Sequence, residues 1–505
     1  MFKNKSNTII FFFCIVKLSL HLLADFNSGY QGDELLHIET GNHPAFGYME
    51  FPPLIGWLAF IQNLFHSQSV FVHHIFSHIA SLLILILIGK TTVELGGKSN
   101  AVFLVLLCII IAPAFGRSQQ LFQPVVFSQL CWMLSFYQLV RFSKSPENKY
   151  LLYLMLSLAL GFLTKYDIVF FIAGLGSLLL FKRTHTVILS RSGFKYTLFF
   201  TLLIIPNLVW QYLHHFPVLD MFSRLYETQL EKLSVANVIK DLVISLNPLT
   251  AFFWLAGLVY MFNAKDKTLY RPVAFAICIS IIFLAFSKSK AYYFFPAMVC
   301  LMIFGSIWFE RKVLSFRRWI LYPATALMLL SGCILLPFGL AVLPLNSFIQ
   351  FAHLKKEDGR YQVHYQEYYS YTKAQKTLTA IKTVYDSLPA TEKEHCLIWG
   401  KHYSQAGIVN LYRQQYGLPK AFSYHGSFYL WAPEGAMPET VIAFTNGEAS
   451  INFFRSFFST VVPVSKVYNP YADFDKDLWQ TIYICKDPKQ TFGGLKEEFR
   501  ARVFE

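Results

Sequence analysis

The sequence predicts a polytopic α-helical membrane protein that ends in a folded α/β domain. Three observations predict it. Hydrophobic residues make up 54% of the 505 and charged residues only 15%, against about 25% charged in a soluble domain. Apolar runs recur at close to the roughly 20-residue length of a bilayer crossing. The charge balance then changes: residues 1–345 hold 26 basic against 14 acidic residues, and 346–505 hold 18 against 16. This composition excludes a cytosolic enzyme, a disordered chain and a small disulfide scaffold. The net charge of +14 does not imply nucleic acid as a partner, because the basic excess lies in short loops between apolar runs, where the positive-inside rule places it.

Taken in order, the apolar runs suggest about eleven spans, near 9–24, 71–88, 101–115, 122–140, 150–164, 168–181, 196–213, 242–262, 272–286, 291–309 and 319–345. The first follows Lys3 and Lys5, and we read it as a retained span rather than a cleaved signal peptide. Lys17 interrupts it, and a charge at that depth is expected to face the bundle interior. With the N-terminus inside, the inner segments carry 18 Lys+Arg, including Lys182, Arg183, Arg311, Lys312, Arg317 and Arg318; the outer loop 25–70 carries none. The bias predicts a cytoplasmic N-terminus and an extracytoplasmic tail. We therefore divide the chain into a membrane domain, 1–345, with its outer loop 25–70, and a soluble outer α/β domain, 346–505.

The tail alternates helical and strand signals. Residues 371–388, 403–416 and 449–458 read as helices, and CLIWG, TVIAFT and TIYIC as short buried strands. Six of the eight cysteines lie in apolar segments, where Cys acts as a small hydrophobe. Cys396 and Cys485 lie in the tail, and an oxidising compartment would leave a disulfide between them open. The Asn-x-Ser/Thr sequon at Asn4 falls on the inner side, so the tail carries no glycosylation signal.

The outer loop is where chemistry is expected. It holds Asp25, Asp33, Glu34, Glu39 and Glu50 with no Lys or Arg. Uncompensated carboxylates at a membrane surface suit an acid/base or cation site, the alternative being a solvated acidic loop. Asp33-Glu34 opens a short helical stretch after Gly29 and Gly32. Glu50 precedes Pro52-Pro53, whose fixed φ aims the chain into the next segment.

GDELLHIETG and GYMEFPPLIGWL in this loop resemble the first outer loop of GT-C-fold membrane glycosyltransferases. The likeness is to the bacterial branch of the protein O-mannosyltransferase-like family, which includes the aminoarabinose transferases. GFLTKYDIVFF, PNLVWQ, LNPLT and KAYYFFPA follow in the family's order, so the resemblance covers about 25–300. In the tail, YSQAG and SFYLWAP resemble the outer domain of the same branch.

The resemblance implies a GT-C-like fold and transfer of a sugar from a polyprenyl-phosphate carrier to an envelope lipid, glycan or protein, at the outer face of the bacterial inner membrane. Membrane lipids are the other partner, and nucleic acid is not one. It places the general base at Asp33, with Glu50 positioning the acceptor or a cation. The leaving lipid phosphate needs a cation, and the candidates are Lys165 in TKY, Lys290 in KAYY and Arg117 in GRSQQ. Snorkelling to the interface is the alternative for each. Tyr292 and Tyr293 either hydrogen-bond the phosphate or join the aromatic belt.

Glu34 is expected to cap its helix rather than react. His37 and His43 do not form a metal motif, so no metal ligand is assigned, and a divalent cation is left open as a cofactor. FQPVVFSQLCW departs from the family, offering Gln123, Ser128 and Gln129 where relatives carry an acid. The amphipathic stretch 218–240 is either an interfacial helix or part of the acceptor cleft. Two other functions compete. A transporter or lipid-linked-sugar flippase would show repeats and interrupted spans at matching positions, which the sequence lacks. An assembly protein acting through its tail would not need Asp33.

Overall fold

The computed structural model describes residues 5–364, 367–447 and 451–504. Lys3, the sequon at Asn4 and the first two residues of the expected 449–458 helix lie outside them. The chain forms two compact units. The first comprises Met1–Leu23, Phe51–Leu54 and His74–Leu340; the second comprises Ala24–Glu50, Ile55–His73 and Ala341–Glu505. The compact unit that contains the tail thus takes in most of the loop 25–70.

The first unit is helical. Among the described residues, six helices are long and apolar enough to cross a membrane: Lys5–Asn27, Val70–Glu94, Arg191–Leu213, Lys267–Phe286, Ala291–Leu314 and Arg318–Phe338. Three more apolar helix pairs are bent by 72° to 115°, which makes nine spans if each pair is one crossing. The expected eleven is not reached on length and apolarity. Helices do occupy the other two runs, but Pro124–Lys144 carries Gln129, Gln138, Arg141 and Lys144, and Asn148–Phe162 is only 15 residues long.

The central helix of the unit, Phe295–Trp308, is apolar on every side and buried for nearly its whole length. A helix buried in this way has no polar face to lose and packs all round. It meets Thr250–Asn263 at two glycines. A Cβ on Gly305 would lie 1.8 Å from the Phe253 carbonyl oxygen, and one on Gly257 1.9 Å from that of Leu301. Small residues permit such backbone contact between helices in a bilayer. We expect Gly305→Ala to lower the melting midpoint of the detergent-solubilised protein by several degrees, the effect of ~1–3 kcal/mol of overpacking, checked by a thermal scan. Lys17 is buried, and its Nζ donates to the Phe115 carbonyl oxygen at 2.8 Å. The span therefore turns its charge inward, as predicted.

The second unit contains a five-stranded mixed sheet. Its strands are β1 (Leu397–Gly400), β2 (Ala421–Phe422), β3 (Thr440–Asn446), β4 (Phe458–Tyr468) and β5 (Trp479–Pro488), in the spatial order β2-β1-β3-β5-β4. β1 is parallel to β2 and β3, and β5 is antiparallel to β3 and β4. Trp399 on β1 is buried against Phe422, Tyr424, Phe454, Phe457 and Phe499. Of the strands of this sheet, the sequence did not reveal β2, which is only two residues long, or β4. Pro463 breaks its pattern, and β4 accommodates it as an edge strand with a register shift between Pro463 and Ser465.

Cys396 and Cys485 are both buried free thiols. β3 lies between them: Leu397 and Cys485 pair with opposite sides of Val441. Two strand spacings of roughly 4.8 Å each exceed the reach of a disulfide, so the pairing left open by the sequence does not form.

Two helices position the candidate site in this unit, α1 (Gly32–Thr40) and α2 (Tyr403–Tyr416), and they pack on each other. Each begins with a reciprocal cap. On α1, Gln31 accepts from the Asp33 N–H at 2.7 Å, while Glu34 accepts from the Gln31 N–H at 2.7 Å. On α2, His402 accepts from the Ser404 N–H at 3.2 Å, and Gln405 accepts from the His402 N–H at 3.0 Å. Such boxes satisfy otherwise orphaned donors and fix where each helix starts.

Candidate active site

In the second unit, Asp33 stands in the first turn of α1, and Tyr403 opens α2. The Tyr403 hydroxyl donates to Asp33 Oδ1 at 2.6 Å. Glu34 is turned to the cap, the role expected of it. Glu50 is clamped by the tail: the Ser427 N–H donates to its Oε1 at 2.8 Å, and the Ser427 hydroxyl donates to its Oε2. The preceding Gly426 has φ +58°, and a Cβ there would sit 2.0 Å from Glu50 Oε1, so the clamp needs glycine.

Around Tyr403 lie two imidazoles. The His402 ring is 3.9 Å from the Tyr403 ring and 4.3 Å from that of His425, and His425 is 4.9 Å from Tyr403. Burial pulls His402 down to about 4 and His425 down to about 3, so both rings are neutral at physiological pH. Burial also pushes the Tyr403 phenol well above its ordinary range, helped by the negative charge of Asp33. Tyr403 is therefore a fixed donor and not a base.

Glu50 is pushed up to about 7 by burial. The Ser427 hydrogen bonds oppose this and the charge of Asp33 adds to it. A carboxyl that changes protonation near neutral pH is suited to acid/base work. A consequence for stability follows. Folded Glu50 holds its proton between about 4.5 and about 7, where the unfolded chain releases it. Its contribution to stability is present at low pH and lost as pH rises through that window. Glu50→Gln should flatten this decline. The check is the melting midpoint at about pH 5 and about pH 7.5, with the drop smaller in the variant than in wild type.

Glu39, also on α1, accepts from Asn410 of α2 at 3.3 Å and from Asn42 at 3.1 Å. His43 lies 3.6 Å from Glu39 and stacks on Trp431 at 4.3 Å. These contacts tie Glu39 to α2 and His43 to Trp431.

The first unit brings together a different set. Lys165 lies in the turn between helices Asn148–Phe162 and Ile168–Leu175. Its Nζ sits 3.9 Å from the Tyr293 ring centroid, 4.7 Å from that of Tyr292 and 3.4 Å from Asp167 Oδ2. The two tyrosines stack at 4.3 Å. Asp167 accepts from the Ser128 hydroxyl at 2.8 Å. Sequence reasoning passed over Asp167, although it stands two residues beyond Lys165 in TKYD. A carboxylate from another element thus stands beside Ser128 of FQPVVFSQLCW.

Lys290 hydrogen-bonds Gln229, within the 218–240 stretch. Here that stretch is two short helices, Pro217–Leu225 and Val235–Ser245, around a π-helical turn. Arg117 lies in the last turn of Pro113–Gln120. The Leu54 N–H after Pro52-Pro53 donates to the Leu163 carbonyl at 3.0 Å, so the proline segment is tied to the Lys165 turn.

The sequence profile of the family described as dolichyl-phosphate-mannose-protein mannosyltransferase matches residues 50–210. No curated protein matches the chain. Among solved structures, the chain is similar to ArnT from Cupriavidus metallidurans bound to undecaprenyl phosphate, with a TM-score of 0.56 at 12% identity over 94% of this chain and 97% of that one. The apo state of the same protein gives a TM-score of 0.58 with the same identity and coverage. The archaeal oligosaccharyltransferase AglB from Archaeoglobus fulgidus, in complex with an inhibitory peptide and a dolichol-phosphate, gives 0.49 at 12% identity over 80% of this chain and 63% of that one. The chain is a multi-pass membrane protein with the GT-C fold of ArnT, and over residues 50–210 it carries the sequence pattern of the dolichyl-phosphate-mannose-protein mannosyltransferases.

Proposed function

We propose that this protein transfers a sugar from a polyprenyl-phosphate carrier to a hydroxyl of an envelope lipid, glycan or protein. The reaction takes place at the outer face of the bacterial inner membrane, with the tail extracytoplasmic. The observation that carries the reading is the family match over 50–210, which begins at Glu50 and includes Lys165. The acceptor oxygen attacks the anomeric carbon as the bond from that carbon to the phosphate oxygen breaks, inverting the centre. The acceptor proton passes to the Asp33 carboxylate. The polyprenyl phosphate leaves as an anion, and Lys165, with the Tyr292 and Tyr293 hydroxyls, offsets its charge. Glu50 orients the acceptor.

Membranes from cells making the protein hold native donor and acceptor together, and they supply the test. Sugar transfer releases free polyprenyl phosphate, which lipid mass spectrometry follows with time. Release that depends on the protein supports the reading. Donor that moves between leaflets with no release of polyprenyl phosphate would establish a flippase instead.

A further inference from the structure

The structure assigns Tyr403 as a positioning residue for Asp33: its hydroxyl occupies Oδ1 and leaves Oδ2 to take the acceptor proton. This rests on the proposed transferase reading and deepens it, because it makes the C-terminal segment part of the catalytic apparatus. Three observations carry it. The hydrogen bond is short, at 2.6 Å, and joins residues 370 apart in sequence. The donor is held on rigid elements: Tyr403 is the first residue of α2, its ring lies against both His402 and His425, and a capping box locks His402. The His402 Nδ1 is engaged by the Ser404 hydroxyl at 2.8 Å as well as by the cap, which fixes the ring that Tyr403 lies against.

The chemistry explains what such a bond would do. A carboxylate on a two-bond side chain can turn about its last torsion, and general-base catalysis demands that one oxygen face the proton it removes. A phenol that donates to one oxygen selects a single orientation and exposes the other. Because the phenol does not ionise near neutral pH, it stays a donor throughout turnover. Supporting hydrogen bonds of this kind are what keep a reacting group within about 0.5 Å of its productive place.

The test uses the membrane assay with Tyr403→Phe, Asp33→Asn, the double variant, and protein in which Tyr403 is replaced by 3-fluorotyrosine. Phe keeps the ring against His402 and His425 and removes only the donor. We expect the maximal rate to fall roughly tenfold to a hundredfold with little change in the donor level giving half-maximal rate. The double variant should be no slower than Asp33→Asn alone, because the two residues act as one unit. The fluorinated ring keeps a donor of nearly the same size and should restore the rate to within a few-fold of wild type.

A wild-type rate in Tyr403→Phe would overturn the assignment, as would losses that multiply in the double variant. If Tyr403→Phe fails to fold, the fluorinated protein decides alone: a folded but slow protein would overturn the assignment. Failure of the transferase reading is distinguishable, because wild-type membranes would then release no polyprenyl phosphate.

Discussion

The Asp33→Asn protein is expected to fold, reach the membrane, bind polyprenyl-phosphate sugar as wild type does, and transfer sugar roughly a hundredfold to ten-thousandfold more slowly. The structure gives reasons for each part of that result. Asparagine keeps the size of the side chain. The N–H of residue 33 still bonds to Gln31, and the amide oxygen can still accept from Tyr403. The cap of α1 and its packing on α2 are untouched. What disappears is the second oxygen as a proton acceptor, and with it the route by which the acceptor hydroxyl becomes a nucleophile. Initial rates in membranes, set beside binding of undecaprenyl phosphate to the purified variant, separate the two effects. A near-wild-type rate from well-folded protein would remove Asp33 from the mechanism.

Lys165→Met should weaken binding of undecaprenyl phosphate by roughly tenfold to a hundredfold, the cost of losing a charge-assisted hydrogen bond to the phosphate. Methionine keeps much of the apolar stem, so a lysine that merely anchors at the interface would show little change. The surroundings of Lys165 argue against simple anchoring. Its ammonium is held over Tyr293 and Tyr292 and beside Asp167, which in turn is fixed by Ser128. A cation that is partly desolvated and placed by an ordered shell gains more from an anion than one free in the headgroup region. Lys290→Met should cost less, because the Lys290 hydrogen bond to Gln229 is exposed, where solvent screens the charge. Titration of the purified wild type and both variants with undecaprenyl phosphate provides the comparison. Equal affinities in all three would leave the fold and the base intact and remove this donor site.

The carboxylates were legible in the sequence because local rules mark them. A pair of acids opening a helix and an acid ahead of two prolines are features of neighbouring residues, and Asp33, Glu34 and Glu50 stand where those rules put them. Their partners were not legible, because Tyr403 and Ser427 are 370 and 377 residues away. Only the strings YSQAG and SFYLWAP drew attention to them, and nothing in those strings says that the first residue of each meets a carboxylate. The same distinction explains the sheet. β1, β3 and β5 are apolar runs that bury themselves, whereas β4 is an edge strand with Pro463 inside it and lacks a strand's usual signature. The span count was not legible for a related reason. A helix inside a bundle can carry Gln129, Gln138 and Arg141, so composition alone does not decide which helices cross.

The most direct measurement compares the envelope lipids and glycans of cells that carry the wild-type gene, lack it, or carry Asp33→Asn at equal expression, by mass spectrometry. The transferase account predicts a species heavier by one sugar in the wild-type cells only, with its unmodified acceptor accumulating in the other two. The same species at the same level in Asp33→Asn cells, or in cells without the gene, would contradict it.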